Sequence, residues 1–254
     1  MKLRLTSVTI CEILMSKQVL VVVPAWNEQA SIAKVIGDLQ IHGFDVLVVD
    51  DGSNDNTHAV ARQAGAITIR LPFNLGVGAA LRCGFKYAVQ HGYQAVVQCD
   101  ADGQHPVDHI EALIATAIQE NSHMVIGSRF LDGAGKMELS LTRRFAMRIL
   151  GRSASRACKT PITDATSGFR VIYTPLLNEL AEKLPPYYLG DTYEALVSSG
   201  RAGYRIIEIP APLMEREHGN SSARPIKAAR LTVKAILSAV LHVHHKLNGP
   251  TTIK

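Results

Sequence analysis

Apolar residues in the first half of the chain switch between two spacings. Val19, Leu20, Val21, Val22 and Val23 form a short β-branched run ending at Pro24, the pattern of a buried strand. Ile32, Val35, Ile36 and Leu39 then fall at i, i+3, i+4 and i+7, one face of a helix. The alternation continues with strands at 46–49, 66–71, 95–99 and 124–127. Helices are predicted from a cap at 54–57 through 64, over 76–91, and after Pro106, where Ile110, Leu113, Ile114 and Ala117 form a stripe. Strands that are apolar throughout and joined by helices imply a parallel sheet covered on both faces. The second half is less regular. It reads as a basic helix over 141–159, a loop over 160–168, a strand at 169–173 and a short helix at 191–200. A strand at 204–209, stopped by Pro210 and Pro212, precedes a polar loop at 215–225 and a last helix at 226–247.

This predicts an α/β fold: a mostly parallel open sheet with helices on both faces, in one domain over 17–212. Residues 1–16, of which the first 14 lie outside the fold, read as an N-terminal extension, and 213–254 as a polar loop and an amphipathic helix. Hydrophobic residues at 47% and charged residues at 19% exclude wholesale disorder. No apolar run approaches the roughly 20 residues of a membrane span. The first 16 residues lack the apolar core of a signal peptide. Cys11, Cys83, Cys99 and Cys158 form no C-x-x-C pair, which argues against a disulfide scaffold or a cysteine zinc site and fits a reducing compartment. The formal charge, +5 from 27 basic and 22 acidic residues, is mild enough that its location matters more than its size; no nucleic-acid partner is expected.

Ligands of open α/β sheets bind beyond the carboxyl ends of the strands. Asp50, Asp51, Asp100 and Asp102 fall there. Residues two apart in an extended segment point the same way, so Asp100 and Asp102 can face one spot. Paired carboxylates repel unless a cation lies between or beside them, and such hard oxygens suit Mg²⁺ or Mn²⁺. Gln104 adds a neutral oxygen. A lone D-x-D fits a solvated turn better than a site. Asp50-Asp51-Gly52-Ser53 reads either as a turn or as a carboxylate that receives a nucleobase or ribose. Gly76-Val77-Gly78 fails as a dinucleotide fingerprint, because Leu81 replaces the third glycine and the motif follows the third strand. The chain has no phosphate-loop motif G-x-x-x-x-G-K-[ST].

These segments converge. Pro24-Ala25-Trp26-Asn27-Glu28 resembles the opening P-x-x-N-E of the family 2 glycosyltransferases, and Asp50-Asp51-Gly52-Ser53 with Asn56-Thr57 their second-strand motif. Asn74 to Ala80 is similar to their third-helix entry. Asp100-Ala101-Asp102-Gly103-Gln104-His105-Pro106 resembles the D-x-D-x-Q form of their polyprenyl-phosphate sugar transferases. Gly127-Ser128-Arg129, Asp164-Ala165-Thr166-Ser167-Gly168-Phe169-Arg170 and Arg216-x-x-Gly219-x-Ser221 extend the likeness to about residue 222. Seven weak motifs in one order outweigh the turn reading of Asp100 and Asp102.

The resemblance implies a GT-A fold, an inverting mechanism and a nucleoside-diphosphate sugar donor. It assigns Pro24, Ala25, Asn27, Glu28, Asp51, Gly76, Asp100 and Ala101 to the nucleotide-sugar, and Asp102 and Gln104 to Mg²⁺ or Mn²⁺. It assigns Arg129, Arg144, Ser167 and Arg216 to an acceptor phosphate, and Asp102, Asp191 and Arg216 to catalysis. Arg148 departs from the pattern, since related transferases often carry serine there. An ionised phosphate acceptor needs no base. A sugar-hydroxyl acceptor does, and Asp191 in Asp191-x-x-Glu194 then takes that role, or caps the helix that begins there. A non-catalytic nucleotide-sugar subunit is the remaining alternative, against which Asp100, Asp102 and Gln104 argue.

Two stretches bear on membranes. Arg143, Arg144, Arg148, Arg152, Arg156 and Lys159 alternate with Phe145, Met147, Ile149 and Leu150. In the last helix Lys227, Arg230, Lys234, His242 and His245 follow one face. Basic amphipathic helices lie in the headgroup region of anionic bilayers. With a lipid-linked acceptor, this predicts a peripheral enzyme on the cytoplasmic face of the membrane and leaves room for a separate membrane protein partner. His242, His244 and His245 read as a solvated helix end, while the resemblance places His105 and His218 near the site.

Overall fold

The computed structural model describes residues 19–131, 141–184, 190–212 and 246–250. Seven strands form one sheet: β1 (Val19–Ala25), β2 (Asp45–Asp50), β3 (Ile67–Arg70), β4 (Ala95–Gln98), β5 (Met124–Ser128), β6 (Arg170–Tyr173) and β7 (Ile206–Pro210). Their order is β3-β2-β1-β4-β6-β5-β7. The pairs β1–β2, β1–β4, β2–β3 and β5–β7 are parallel. β6 runs antiparallel to both neighbours, with Gln98 opposite Arg170 and Ile126 opposite Arg170 on the other side.

The apolar strands bury both faces because a helical layer covers each. One layer holds α1 (Ile32–Ile41), α2 (Thr57–Gln63) and α4 (Ile110–Gln119), with the predicted stripes of α1 and α4 packed on Val19, Val21 and Val23. The other holds α3 (Val77–Gln90), α5 (Leu141–Cys158), α6 (Leu176–Lys183) and α7 (Ala195–Arg201), packed on Leu20 and Val22. Leu20, Val21, Val22 and Val23 have no exposed surface. Each such side chain stabilises the fold by about 1.5–3 kcal/mol.

Three features differ from the sequence reading. The eight-residue helix α6 lies in a stretch without an assigned element; it is short, but Leu176, Leu177, Leu180 and Ala181 give it one buried face. The short helix expected at 191–200 is a π-type turn over Gly190–Glu194 followed by α7. Lys246 and Leu247, expected to end the last helix, are irregular. There Glu179 of α6 accepts the backbone N–H groups of Asn248 (2.7 Å) and Gly249 (3.1 Å), and Leu247 is buried in the core. The extension at 1–16, the loop at 215–225 and the rest of the last helix lie outside the described residues. No helix among the described residues is long and apolar enough to cross a membrane.

Candidate active site

The carboxyl ends of β1 and β2 are laced together by their own loops. The Asp51 N–H donates to the Ala25 carbonyl at 2.8 Å, one step past the strand ladder. Asn27, at φ 56°, donates its N–H to Ser53 Oγ (2.9 Å), and its Oδ1 accepts the Asn54 N–H (2.9 Å). Asparagine tolerates this left-handed backbone better than most residues. The Glu28 N–H donates to Thr57 Oγ1 (2.8 Å), and Glu28 Oε2 accepts from Ser31 Oγ (2.9 Å). Asn27 and Glu28 thus brace two loops.

Asp51 is buried and faces the start of α3. Its Oδ1 accepts the Leu75 N–H and its Oδ2 the Gly76 N–H, both at 2.8 Å. Burial raises its pKa, those two N–H bonds pull it back, and the nearby Asp50 charge adds to the rise; the net shift is upward. Asp50, fully buried, accepts the Ser53 N–H (2.9 Å) and lies 3.3 Å from Arg70 Nε. Gly52 follows Asp51 at φ +69°, and a Cβ there would lie 2.5 Å from the Phe73 carbonyl carbon. Only glycine allows this turn beneath the 73–74 backbone.

Asp100 and Asp102 line one cavity of about 660 Å³, together with Ser31 and Lys34 from the entry of α1 and with Pro212. The backbone turns at Ala101 and Asp102 instead of staying extended, so a turn and not strand alternation turns both residues to this cavity. Asp102 Oδ1 accepts the Gln104 N–H at 3.0 Å, which closes that turn. Asp102 is 9% exposed, whereas the Asp100 side chain is 43% exposed. Pro24, Asn27, Asp51 and Gly76 do not line this cavity; they group at the neighbouring β1–β2–α3 junction.

His105 holds Asp100. Its Nδ1 accepts the Asp100 N–H (2.9 Å), its Nε2 lies 3.4 Å from Asp100 Oδ2, and its ring tilts on Phe169 at 4.9 Å. Across from it, a Cβ at Gly168 would come within 3.0 Å of Gln98 Nε2 and 3.4 Å of Asp100 Oδ1. The segment 164–170 therefore packs directly on the Asp100 carboxylate.

The residues expected to hold an acceptor phosphate divide. The Arg129 guanidinium binds Asp164 through Nε (2.6 Å) and Nη2 (2.7 Å), and Nη2 also donates to Thr166 Oγ1 (2.9 Å). Burial would lower the pKa of Arg129, but the bond and charge of Asp164, with the charge of Asp100, raise it. Asp164 is fully buried and its N–H donates to Glu208 Oε1 (2.7 Å). Glu208 Oε2 accepts the Thr163 N–H and hydroxyl, both at 2.8 Å. Ser167 also faces inward: its hydroxyl donates to the Gly127 carbonyl at 2.6 Å. The structure thus gives Arg129 and Ser167 of the expected phosphate set internal partners. Arg144 is exposed on α5. Arg216, His218 and the Asp191 side chain lie outside the described residues.

Arg170, Glu208 and the bracing action of His105 were not read from the sequence. Arg170 is 1% exposed, donates from Nη1 to the Thr192 carbonyl at 3.1 Å and binds the Ser167 carbonyl through Nη2. It ties the 164–170 segment to the turn that contains Asp191. Its place in Asp164-to-Arg170 was a signal, but its partner lies 22 residues away.

The mostly parallel sheet with its D-x-D carboxylates on a cavity has the architecture of the GT-A glycosyltransferases. The family model for glycosyl transferase family 2 matches residues 20–181, and the chain belongs to that family. It is 29% identical to the UDP-N-acetylglucosamine–dolichyl-phosphate N-acetylglucosaminyltransferase of Methanococcus voltae, over 80% of this chain and 88% of that one. It is 30% identical to the undecaprenyl-phosphate mannosyltransferase of Micrococcus luteus, over 80% of this chain and 86% of that one. A crystal structure of glucosyl-3-phosphoglycerate synthase from Mycobacterium tuberculosis with Mn²⁺, uridine diphosphate and phosphoglyceric acid shares the fold, at a TM-score of 0.69 and 20% identity, over 95% of this chain and 84% of that one. The protein is a family 2 glycosyltransferase resembling the polyprenyl-phosphate sugar transferases.

Proposed function

We propose that the enzyme moves a hexose from a UDP- or GDP-sugar to polyprenyl phosphate, with inversion, as a peripheral protein on the cytoplasmic face of the membrane. The observation that carries this reading is the contact between the two halves of the site. The Asp100 carboxylate lies against Gly168, in the same segment whose Asp164 holds Arg129. A donor at the carboxylates and an acceptor beside that segment are then neighbours, as a single displacement requires.

The donor set suits a hard divalent cation. Asp102, on the cavity wall, and the Gln104 amide two residues on offer oxygen ligands, and Mg²⁺ or Mn²⁺ is usually held by one or two carboxylates plus substrate phosphates. Such a metal, when bound, offsets the charge that builds on the departing diphosphate. Asp51, fixed on the α3 entry, and the braced Asn27–Glu28 loop shape the nucleoside side. Arg144 and Arg216 supply cations for the acceptor phosphate, which is already ionised and needs no base. Arg129, held by Asp164 and Thr166, braces the 164–170 segment that packs on Asp100.

A sugar-hydroxyl acceptor is the second reading. Its support is Arg170, which ties the 164–170 segment to the turn whose backbone carries Asp191, the base this reading needs. Assays in detergent with UDP- and GDP-hexoses, offering polyprenyl phosphate or soluble glycosides, separate the two. Lipid-linked product that disappears in Arg216→Ala supports the first reading; glycoside product that disappears in Asp191→Asn supports the second. No turnover with any donor, combined with intact nucleotide-sugar binding, would leave the enzyme's donor site as a regulatory subunit for a membrane partner.

A further inference from the structure

Helix α5 carries five arginines and no acidic residue. The 22 basic residues elsewhere therefore equal the chain's 22 acidic ones, and the whole formal excess of +5 resides in this one helix. Arg144, Arg148, Arg152 and Arg156 recur every fourth residue, and all four are exposed. Among the described residues, none of the four makes an ion pair. Like charges at this spacing disfavour the helix, so a role in the free protein's stability does not explain them.

Arg144, Arg148 and Arg152 line a cleft of about 450 Å³ whose other wall includes Phe130 and Ile162. The hydroxyls in the cleft are already bonded within the protein. Ser155 Oγ donates to the Gly151 carbonyl (2.7 Å) and accepts the Ile162 N–H (2.9 Å). Thr163 Oγ1 donates to Glu208 and pairs with Ser128 Oγ. A ligand entering here meets guanidinium groups and apolar surface. At 1.5 Å rise per residue, Arg144 and Arg152 are about 12 Å apart along the axis. One phosphate group is much smaller than that span, so the row exceeds what a single acceptor phosphate engages. Met147 joins the cleft to the reaction site, since the Thr166 hydroxyl that receives Arg129 lies 3.8 Å from its sulfur.

We propose that Arg148 and Arg152 form a second anion subsite for a phosphate ester, separate from the phosphate that accepts the sugar. The subsite rests on the acceptor side of the proposed reaction but needs no donor, metal or turnover to be detected. Two sources share this chemistry: the headgroup of an anionic phospholipid beside the lipid acceptor, or a soluble phosphate. The apolar wall and Phe145, 64% exposed on the same helix, suit the first.

The full chain is tested by co-sedimentation with phosphatidylcholine vesicles, with and without phosphatidylglycerol, and by calorimetric titration with inorganic phosphate. Each guanidinium near an anionic surface contributes about fivefold in partitioning, so Arg148→Ala/Arg152→Ala is expected to bind anionic vesicles about 30-fold more weakly. Arg156→Ala removes an equal charge from the same ridge but lies outside the cleft, and is expected to change binding far less than Arg152→Ala. Loss confined to vesicles assigns a lipid headgroup; loss in the phosphate titration assigns a soluble phosphate. Equal effects of Arg152→Ala and Arg156→Ala, or unchanged binding in the double variant with an unaltered melting curve, overturn the subsite. Neither result touches the sugar-transfer reading, which the turnover assay tests alone.

Discussion

His105 grips Asp100 at both ends: the ring accepts the backbone N–H through Nδ1 at 2.9 Å and sets Nε2 3.4 Å from the carboxylate. An acceptor at Nδ1 places the proton of the neutral ring on Nε2, where it points at Asp100. The Asp100 carboxylate is thus aimed by a buried ring that itself rests on Phe169.

Replacing His105 by Phe keeps the aromatic packing and removes both nitrogens. The variant is expected to fold, to lose about 1–3 kcal/mol through the unpaired Asp100 N–H, and to lose about 10–100-fold in catalytic efficiency. Donor KM and kcat, measured separately beside His105→Gln, are the check. A Phe variant with wild-type KM and kcat would show that Asp100 needs no such support.

Gly52→Ala tests the turn beneath Phe73. The positive φ and the 2.5 Å approach act together, so a loss of about 2–4 kcal/mol is expected in urea unfolding. A loss below about 1 kcal/mol would mean that the 73–74 backbone yields easily.

Asp164 neutralises an arginine whose side chain is 17% exposed. Asp164→Ala leaves that charge without its partner, at a cost of about 3–5 kcal/mol. The double change Asp164→Leu/Arg129→Met should cost less than Asp164→Ala alone. Denaturant midpoints for the singles and the double decide this, and equal losses would mean that the ion pair is not what holds the loop.

Glu179 makes stability depend on pH. Burial pushes its carboxyl up, but bonds from the Tyr204 hydroxyl, the Asn248 N–H and Lys183 outweigh it, and its pKa falls below the ordinary 4.5. A depressed carboxyl contributes stability that is complete above the unfolded value and lost as pH falls through the folded one. Glu179→Gln should therefore melt lower than wild type near neutrality, and the gap should close in acid. Melting curves across that range test it; a constant gap would assign the effect to packing.

Most of the sheet is legible in the sequence because a strand buried on both faces must be apolar at every position, as Val19 to Val23 and Val46 to Val49 are. The reversed direction of β6 is not, since Arg170 to Tyr173 would read alike in either orientation. Helix α6 was missed because eight residues give barely two turns of periodicity. At the site, the motif letters located Asp100, Asp102 and Arg129, but not their partners. Arg129 meets Asp164 across 35 residues, and Thr163 meets Glu208 across 45. Such pairings are set by which strand ends lie side by side. The turn at Ala101 and Asp102 was likewise invisible, since alternation and a turn both bring residues two apart to one side.

The backward run of β6 has a consequence for how the enzyme can change. Because β6 lies between β4 and β5 with opposite polarity, the chain enters β6 where it leaves β4, and Gly168 meets Asp100 there without a side chain between them. In the proposed reaction, the loop that greets one substrate is then a wall of the chamber for the other. Variation that reshapes either loop is expected to alter both specificities, so that they drift as a pair.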